Sequence, residues 1–147
     1  MKKLEIEKFK DSQIPGKVIE EIISTVHYTS YKEAFRAIKH DSSIKLSAND
    51  FLPTFLQANG KMKGNKGDYG LSLFDTEENI KNFVNSINGL RKSVKYIAKG
   101  KIDSKKGITD KKDNHGHFQF YLFDPIKMNP ASDFEYHIQY EYKKDDN

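Results

Sequence analysis

The chain has 147 residues and a formal net charge of +4, with 31% charged and 36% hydrophobic residues. No apolar run approaches the ~20 residues that a membrane-spanning helix needs, so no membrane partner is expected. The absence of cysteine excludes a disulfide framework and a thiolate metal site. The mild positive charge is by itself weak evidence for a nucleic-acid partner.

The length indicates a single domain over residues 1–147, with a frayed tail over 143–147. Ten phenylalanines and eight tyrosines partly offset the low apolar fraction, because each of them buries a large area. The first five residues lack the apolar core of a signal peptide, so the cytoplasm is the expected site of action.

The first quarter of the chain predicts a short strand and then a helix. Apolar side chains suggest the strand at Leu4, Ile6 and Phe9, and a helix follows Pro15, because proline suits the first helical position. The apolar run of this helix leads to His27, which we place at a junction where its side chain can face a cleft.

A second helix and a short strand are predicted next. Ser30 and Glu33 have the spacing of a capping box. The helical spacing behind them gives an apolar face of Tyr31, Ala34, Phe35 and Ile38. Residues 43–47 alternate between apolar and polar side chains, which predicts a strand. Residues 48–70 lack periodicity and are rich in Gly, Asn and Lys. The early apolar residues, Phe51 to Leu56, predict a short turn or helix, and the glycines after them are typical of a mobile loop.

The second half alternates strands with one helix. Residues 69–74 predict a strand, and the helix after it is expected to be capped by Asp75 and ended by Gly89. Further strands are predicted over residues 94–99, 118–122 and 134–142, and a lysine-rich loop over 100–114. The period-two pattern of residues 134–142 is the cleanest in the chain and predicts a half-buried antiparallel strand. These elements predict an α+β domain with a mostly antiparallel sheet and about three helices.

Three motifs, taken in order, resemble the ADP-ribosyltransferase superfamily in its His-Tyr-Glu form. They are His27-Tyr28-Thr29 with a following segment that ends in Ser47, then Tyr69-Gly-Leu-Ser-Leu-Phe74, and last Phe134-Glu135-Tyr136. The resemblance implies a split antiparallel sheet and an NAD-dependent ADP-ribosyltransferase or NAD glycohydrolase with NAD as its substrate. No bound metal is expected.

The same resemblance implies roles for individual residues. Glu135 would be the catalytic carboxylate, and Glu141, in a Gln-x-Glu arrangement, is the second candidate. Among the implied NAD-binding residues, His27 would contact a ribose and Tyr69 would stack on nicotinamide. Five others would orient these groups or offer alternative contacts: Tyr28, Thr29, Ser47, Ser72 and Phe74. Small members of this kind are often bacterial or phage toxins, which implies a protein or nucleic-acid acceptor and a cognate antitoxin or immunity protein.

Two other functions fit the sequence. A small ribonuclease toxin would use His115 or His117 as acid or base and the neighbouring lysines to bind phosphate. A non-enzymatic module would bind a partner through an exposed strand, for which the aromatic-rich strands at 118–123 and 134–142 are candidates.

Overall fold

The computed structural model describes residues 6–25 and 31–141 and is an α+β structure. Residues 6–8 are helical. Two short 3₁₀ turns, Ala48–Phe51 and Thr54–Leu56, come before the second strand. Two more 3₁₀ turns lie at Lys66–Tyr69 and Pro130–Asp133. The three α-helices are α1 (Gly16–Thr25), α2 (Glu77–Ser86) and α3 (Asn88–Ser93). The strands are β1 (Ala34–Ile38), β2 (Leu71–Phe74), β3 (Tyr96–Gly100), β4 (Gly107–Thr109), β5 (His117–Leu122) and β6 (Phe134–Gln139).

The six strands form one antiparallel sheet in the order β4-β5-β2-β1-β3-β6. The sheet is narrowest at its centre, where Phe35 and Phe74 are the one residue pair recorded between β1 and β2. On the other side of β1, five consecutive residues pair with β3. The sheet is therefore continuous, but its two halves are joined by a short ladder.

Each face of the sheet carries its own core. We call the face that packs against α1, α2 and α3 the helix face. Tyr121 belongs to its core at one end, and Phe35 and Ile97 belong to its core at the other end. The loop face is covered by irregular segments, and its fully buried side chains include Phe51 and Phe120. Because both faces are covered, the central strands are buried on both sides. A ligand can therefore reach the sheet only beside one of the segments that cover it.

The predicted helix through Tyr31 to Ile38 is wrong, because this segment contains β1. Ala34 and Ile38 point to the loop-face core, whereas Phe35 points to the helix-face core. A strand buried on both faces needs apolar residues at adjacent positions, and here their spacing also matches one side of a helix. Pairing with β2 and β3 decides the outcome. The Ser30 cap lies outside the described residues.

Four further local predictions are wrong. Residues 43–47 form no strand, and the helical turn at 6–8 lies where a strand was expected. The cap of α2 is Thr76, whose hydroxyl accepts the N–H of Asn79, and not Asp75. Gly89 does not end this helix, because α2 ends at Ser86 and Gly89 lies within α3.

Residues 48–70 contain three 3₁₀ turns, two of them in the stretch predicted to be a short apolar turn or helix and one in the stretch predicted to be a mobile loop. Phe51 in the first turn is fully buried, and the buried carboxylate of Asp68 accepts the backbone N–H groups of Lys63, Gly64 and Asn65. These contacts give the segment a defined path without regular helix or strand.

Other predictions are confirmed. Helix α1 starts one residue after Pro15, and strands β2, β3, β5 and β6 overlap the segments predicted for them, although β6 ends at Gln139 and not at residue 142. Within the described residues, no helix combines the length and the apolar composition needed to cross a membrane.

Candidate functional site

A surface cavity of about 600 Å³ lies on the loop face beside β3 and β6. Two residues predicted to act on NAD, Ser47 and Glu135, both border it. Its other lining side chains include Tyr96 and Tyr136, whose ring centroids are 5.2 Å apart, and Lys45. The cavity therefore combines aromatic rings, a carboxylate and a cation in a volume within the usual range for a small-molecule site.

The wall of the cavity opposite the sheet is formed by residues 41–47, which we call the strap. The carboxylate of Asp50 fixes both ends of the strap, because it lies 2.9 Å from His40 Nε2 and accepts the backbone N–H of Ser47 at 2.9 Å. Leu46 packs on the loop-face core, whereas Ile44 is 56% exposed. We refer to the space between the strap and β6 as the strap cavity.

Glu135 borders the strap cavity from the outer edge of the sheet. It pairs with Lys99 and so starts on the helix-face side of β6, whereas Phe134 and Tyr136 point to the loop face. No described residue forms a hydrogen bond or ion pair with its exposed carboxylate. Among the described strands, β6 has none on its outer side, and the exposed Glu135 borders the cavity at this edge.

The same strand carries a bulge that the sequence pattern concealed. Ile97 pairs with Ile138, but the next residue, Ala98, pairs with Tyr136, so His137 is an extra residue in β6. Tyr136 consequently lies on the loop face and Ile138 on the helix face, although simple alternation would put them together. Tyr136 follows Phe134 on the loop face by ordinary alternation, and the bulge turns Ile138 to the helix face, where it packs with Leu90 of α3 on the helix-face core.

The other predicted NAD-binding residues do not line this cavity. Tyr69 packs against Phe55 and α1, Phe74 is buried in the helix-face core, and Ser72 lies on the helix face, where Gln119 donates to its hydroxyl. Strands β1 and β3 separate β2 from β6, a spacing of roughly 14 Å at ~4.8 Å per strand. Tyr69 and Glu135 are therefore not brought together, and Tyr96 and Tyr136 are the rings available near Glu135. His27, Tyr28 and Thr29 lie outside the described residues.

Arg36 was not singled out in the sequence, yet it connects the two halves of the sheet. Its Nε donates to the carbonyl of Asp50 at 2.6 Å, and its Nη1 donates to the carbonyl of Ser72 at 3.1 Å. Its guanidinium lies over the ring of Phe51. Burial lowers the pKa of Arg36 to about 10, against the opposing effect of Asp50, so it stays charged at neutral pH. Arg36 thus couples the base of the strap to β2, at the place where β1 and β2 share a single residue pair.

Glu141, the second candidate carboxylate, borders a different cavity of about 360 Å³ together with Arg91 and Lys95. The two cavities share Ser42 and Tyr96 as lining residues. The two carboxylates that the resemblance offered as candidates, Glu135 and Glu141, therefore border different cavities.

The sheet edges bear on the alternative of a strand-binding module. The two outer strands are β4, which has three residues, and β6, which is interrupted by the bulge at His137. Short and bulged edges are poor templates for an added strand. The edges thus offer little support for partner binding by strand addition.

In the part of the chain that the structure describes, no three His, Asp or Glu side chains gather where they could hold a metal ion. No protein-family model, curated protein or solved structure matches the chain, so its function must be inferred from the chemistry of its cavities.

Proposed function

We propose that the protein cleaves the bond between nicotinamide and ribose in NAD, acting in the strap cavity as an ADP-ribosyltransferase or NAD glycohydrolase. The observation that carries this proposal is that Ser47 and Glu135, predicted from distant motifs, border one cavity with two tyrosines and a lysine. The narrow β1–β2 junction is a further point of support, because the resemblance implies a split antiparallel sheet.

The chemistry needs an aromatic surface and a negative charge close together. Departure of nicotinamide leaves positive charge on the ribose, as in glycoside hydrolysis, and a nearby carboxylate stabilises it. Glu135 supplies this carboxylate. The ring of Tyr136, which is 48% exposed beside Tyr96, is a stacking surface for the cationic nicotinamide.

The strap supplies the remaining contacts. Lys45 is an exposed cation at the cavity and binds the pyrophosphate of NAD, while the hydroxyl of Ser47 bonds a ribose. ADP-ribose then passes from C1′ to water or to a nucleophile of a macromolecular acceptor, a protein or a nucleic acid. In a toxin of this kind, a cognate antitoxin or immunity protein would cover the cavity.

The direct test is the release of nicotinamide from NAD by the full chain, measured by chromatography. Glu135→Gln keeps the size of the side chain and removes its charge, and we expect a fall of about 10²–10³-fold in kcat, as for other lost electrostatic stabilisers. Glu141→Gln is the matched control and should retain activity, because Glu141 borders the neighbouring cavity. Circular dichroism checks that both variants fold.

The aromatic contact has its own pair of variants. Tyr136→Ala should raise KM for NAD, whereas Tyr136→Phe keeps the ring and should behave as the wild type. An inert wild-type chain, or equal activity in Glu135→Gln and the wild type, would overturn the proposal. With labelled NAD and a cell lysate, protease and nuclease digestion of the labelled product then distinguishes a protein acceptor from a nucleic-acid acceptor.

A further inference from the structure

A second polar site lies on the opposite side of the sheet from the strap cavity. It is a groove of about 330 Å³ on the helix face, and its lining residues include His117, Gln119, Lys66, Lys111 and Asp113. The Asp113-Asn-His115-Gly-His117 motif leads into it, and the proposed NAD chemistry uses none of these residues. We call it the His117 groove.

The turn before β5 fixes the position of His117. Asp113 accepts the backbone N–H groups of His115 and His117, and Gly116 adopts a φ of +78° that L residues rarely take. A side chain on Gly116 would also collide with Asp75, since its Cβ would lie 2.1 Å from Oδ1. The turn therefore requires glycine at position 116, and it places the imidazole of His117 at the start of β5.

The His117 ring is held by contacts on two sides. It packs against Phe74 with the ring centroids 5.2 Å apart, and it lies parallel to Phe83 at 6.4 Å. Its Nδ1 lies 3.8 Å from Asp113 Oδ2, and no described residue is a hydrogen-bond partner of Nε2. Burial lowers the pKa of His117, against the opposing effect of Asp113, so the imidazole is neutral at pH 7 and can accept a proton.

Two cations in the groove are not neutralised by a described carboxylate. Lys66 Nζ donates to the hydroxyl of Thr25 at 2.7 Å, and Lys111 is exposed and forms no ion pair with a described residue. The adjacent Lys112 differs, because it is paired with Asp75 at 2.8 Å. Lys66 and Lys111 are therefore available to bind an anion beside His117.

One of the two acidic residues that line the groove, Asp110, is engaged by groups of β5. Asp110 accepts the backbone N–H of Gln119 at 2.7 Å and the phenol of Tyr121 at 3.3 Å. The side-chain oxygen of Gln119 is buried and has no hydrogen-bond partner among the described residues, although its amide nitrogen donates to Ser72. A rotation of this amide would present an unsatisfied acceptor to a nucleobase.

We propose that the His117 groove binds a phosphodiester of single-stranded RNA between Lys66 and Lys111 and cleaves it with His117 as the general base. His117 Nε2 takes the proton of the ribose 2′-hydroxyl, and the 2′-oxygen forms a bond to the adjacent phosphorus. The bond from phosphorus to the 5′-oxygen breaks, and that oxygen takes a proton from water. The hydroxide that remains takes the proton back from His117. The products are a 2′,3′-cyclic phosphate and a 5′-hydroxyl, and no metal or second substrate is consumed.

The test is cleavage of a fluorescent single-stranded oligoribonucleotide by the full chain, followed by gel electrophoresis. We expect cleavage of RNA but not of the same sequence in DNA, which lacks the 2′-hydroxyl. His117→Ala should lower the rate at least 100-fold, because general-base catalysis typically contributes about 10²–10⁴-fold. His115→Ala is the matched control, since His115 is exposed on the same turn and does not line the groove. Its rate should equal that of the wild type.

Two further measurements keep the test independent of folding. The double variant Lys66→Ala/Lys111→Ala should raise KM for RNA and weaken the salt dependence of RNA binding. The control Lys101→Ala/Lys127→Ala removes the same charge from exposed positions outside the groove, and its KM and salt dependence should equal those of the wild type. The wild-type rate should rise with pH to a plateau, with its midpoint below 6.5, the ordinary histidine value.

The RNA proposal and the NAD proposal are separable. Glu135→Gln should cleave RNA normally, and His117→Ala should release nicotinamide normally, because the two sites lie on opposite faces of the sheet. Intact RNA after incubation with the wild type, or equal cleavage by His117→Ala and His115→Ala, would overturn the proposal whatever the result with NAD.

Discussion

The imidazole of His40 and the carboxylate of Asp50 meet at 2.9 Å and hold the two ends of the strap together. Asp50 accepts the backbone N–H of Ser47 as well, so one carboxylate serves the start and the end of the same segment. The strap, which lines the strap cavity, thus depends on a titratable contact.

The His40 contact should make the strap sensitive to pH. The pKa of His40 is raised by its hydrogen bond to the carbonyl of Asp41 and by its bond to Asp50, while the ring of Tyr96 lies beside it. A raised folded-state pKa means that this stabilisation is complete below 6.5 and is lost as pH rises through the folded-state value. Lys95 also acts on the neighbouring Asp41, whose pKa is lowered chiefly by its hydrogen bonds from Ser43.

We therefore expect His40→Gln to lower Tm more at pH 5.5 than at pH 8.5, by about 3 °C at the lower pH if the charged hydrogen bond is worth ~1 kcal/mol. An NMR titration should place the His40 midpoint above 6.5 and return it towards this value in Asp50→Asn. A midpoint at or below 6.5 in the wild type would show that the contact does not favour the charged imidazole.

Two glycines should respond to alanine in opposite directions. Gly89 lies in α3, where a Cβ would meet no atom within 4 Å, so Gly89→Ala should stabilise the protein by about 0.5–1 kcal/mol. Gly100 ends β3, and its Cβ would lie 2.5 Å from the carbonyl of Asp133, so Gly100→Ala should destabilise it by about 1–3 kcal/mol. Urea denaturation measures both. A loss of stability in Gly89→Ala would instead support the helix-ending role that the sequence suggested.

Phe51 should be among the most important core residues, although it lies in a segment without regular structure. It is fully buried, and its ring centroid lies 4.8 Å from that of Phe134. Phe51→Ala should cost about 3–5 kcal/mol of unfolding free energy. Phe55, four positions later and partly exposed, is the control, and Phe55→Ala should cost clearly less. Equal costs would mean that the first 3₁₀ turn does not anchor the segment.

Asp68 should hold the loop at residues 63–65 by its charge. Burial acts to raise the pKa of Asp68, but the N–H groups of Lys63, Gly64 and Asn65 outweigh it and the pKa is lowered. A lowered pKa means that this stabilisation is present above 3.8 and is lost as pH falls through the folded-state value. Asp68→Asn should therefore lower Tm at pH 7 and also speed hydrogen exchange of these three amides.

Asp103→Asn is the control for this experiment, because Asp103 accepts the N–H of Lys105 in an exposed turn. We expect a smaller change in Tm there and no change in exchange at 63–65. Unchanged protection of these amides in Asp68→Asn would contradict the role assigned to its carboxylate.

Local patterns were sufficient where one face of an element is buried and the other is not. The apolar spacing after Pro15 predicts α1, and alternation predicts the first residues of β6. Strand β1 shows where this reasoning fails, because it is buried on both faces and its apolar spacing fits a helix equally well.

Local motifs likewise predict some residues of the candidate site and miss others. Glu135 and Ser47 were selected from short motifs, and they border one cavity, whereas Tyr69 and Phe74 came from an equally regular motif and pack elsewhere. Lys45 and Tyr96 carry no local signal of a site. Arg36 looks in the sequence like the polar member of an amphipathic pattern, and its partners are carbonyl groups of distant segments.

The sequence by itself determined the α+β class, most strand positions and the chemistry available to the chain, because these follow from the order of side chains along short segments. Only the tertiary structure decided which segments meet. The strand order sets β1 and β3 between Tyr69 and Glu135, and one extra residue in β6 puts Tyr136 and Ile138 on opposite faces of the sheet. The physical reason is that strand pairing and bulges depend on hydrogen bonds between residues far apart in the chain, which leave no trace in local periodicity.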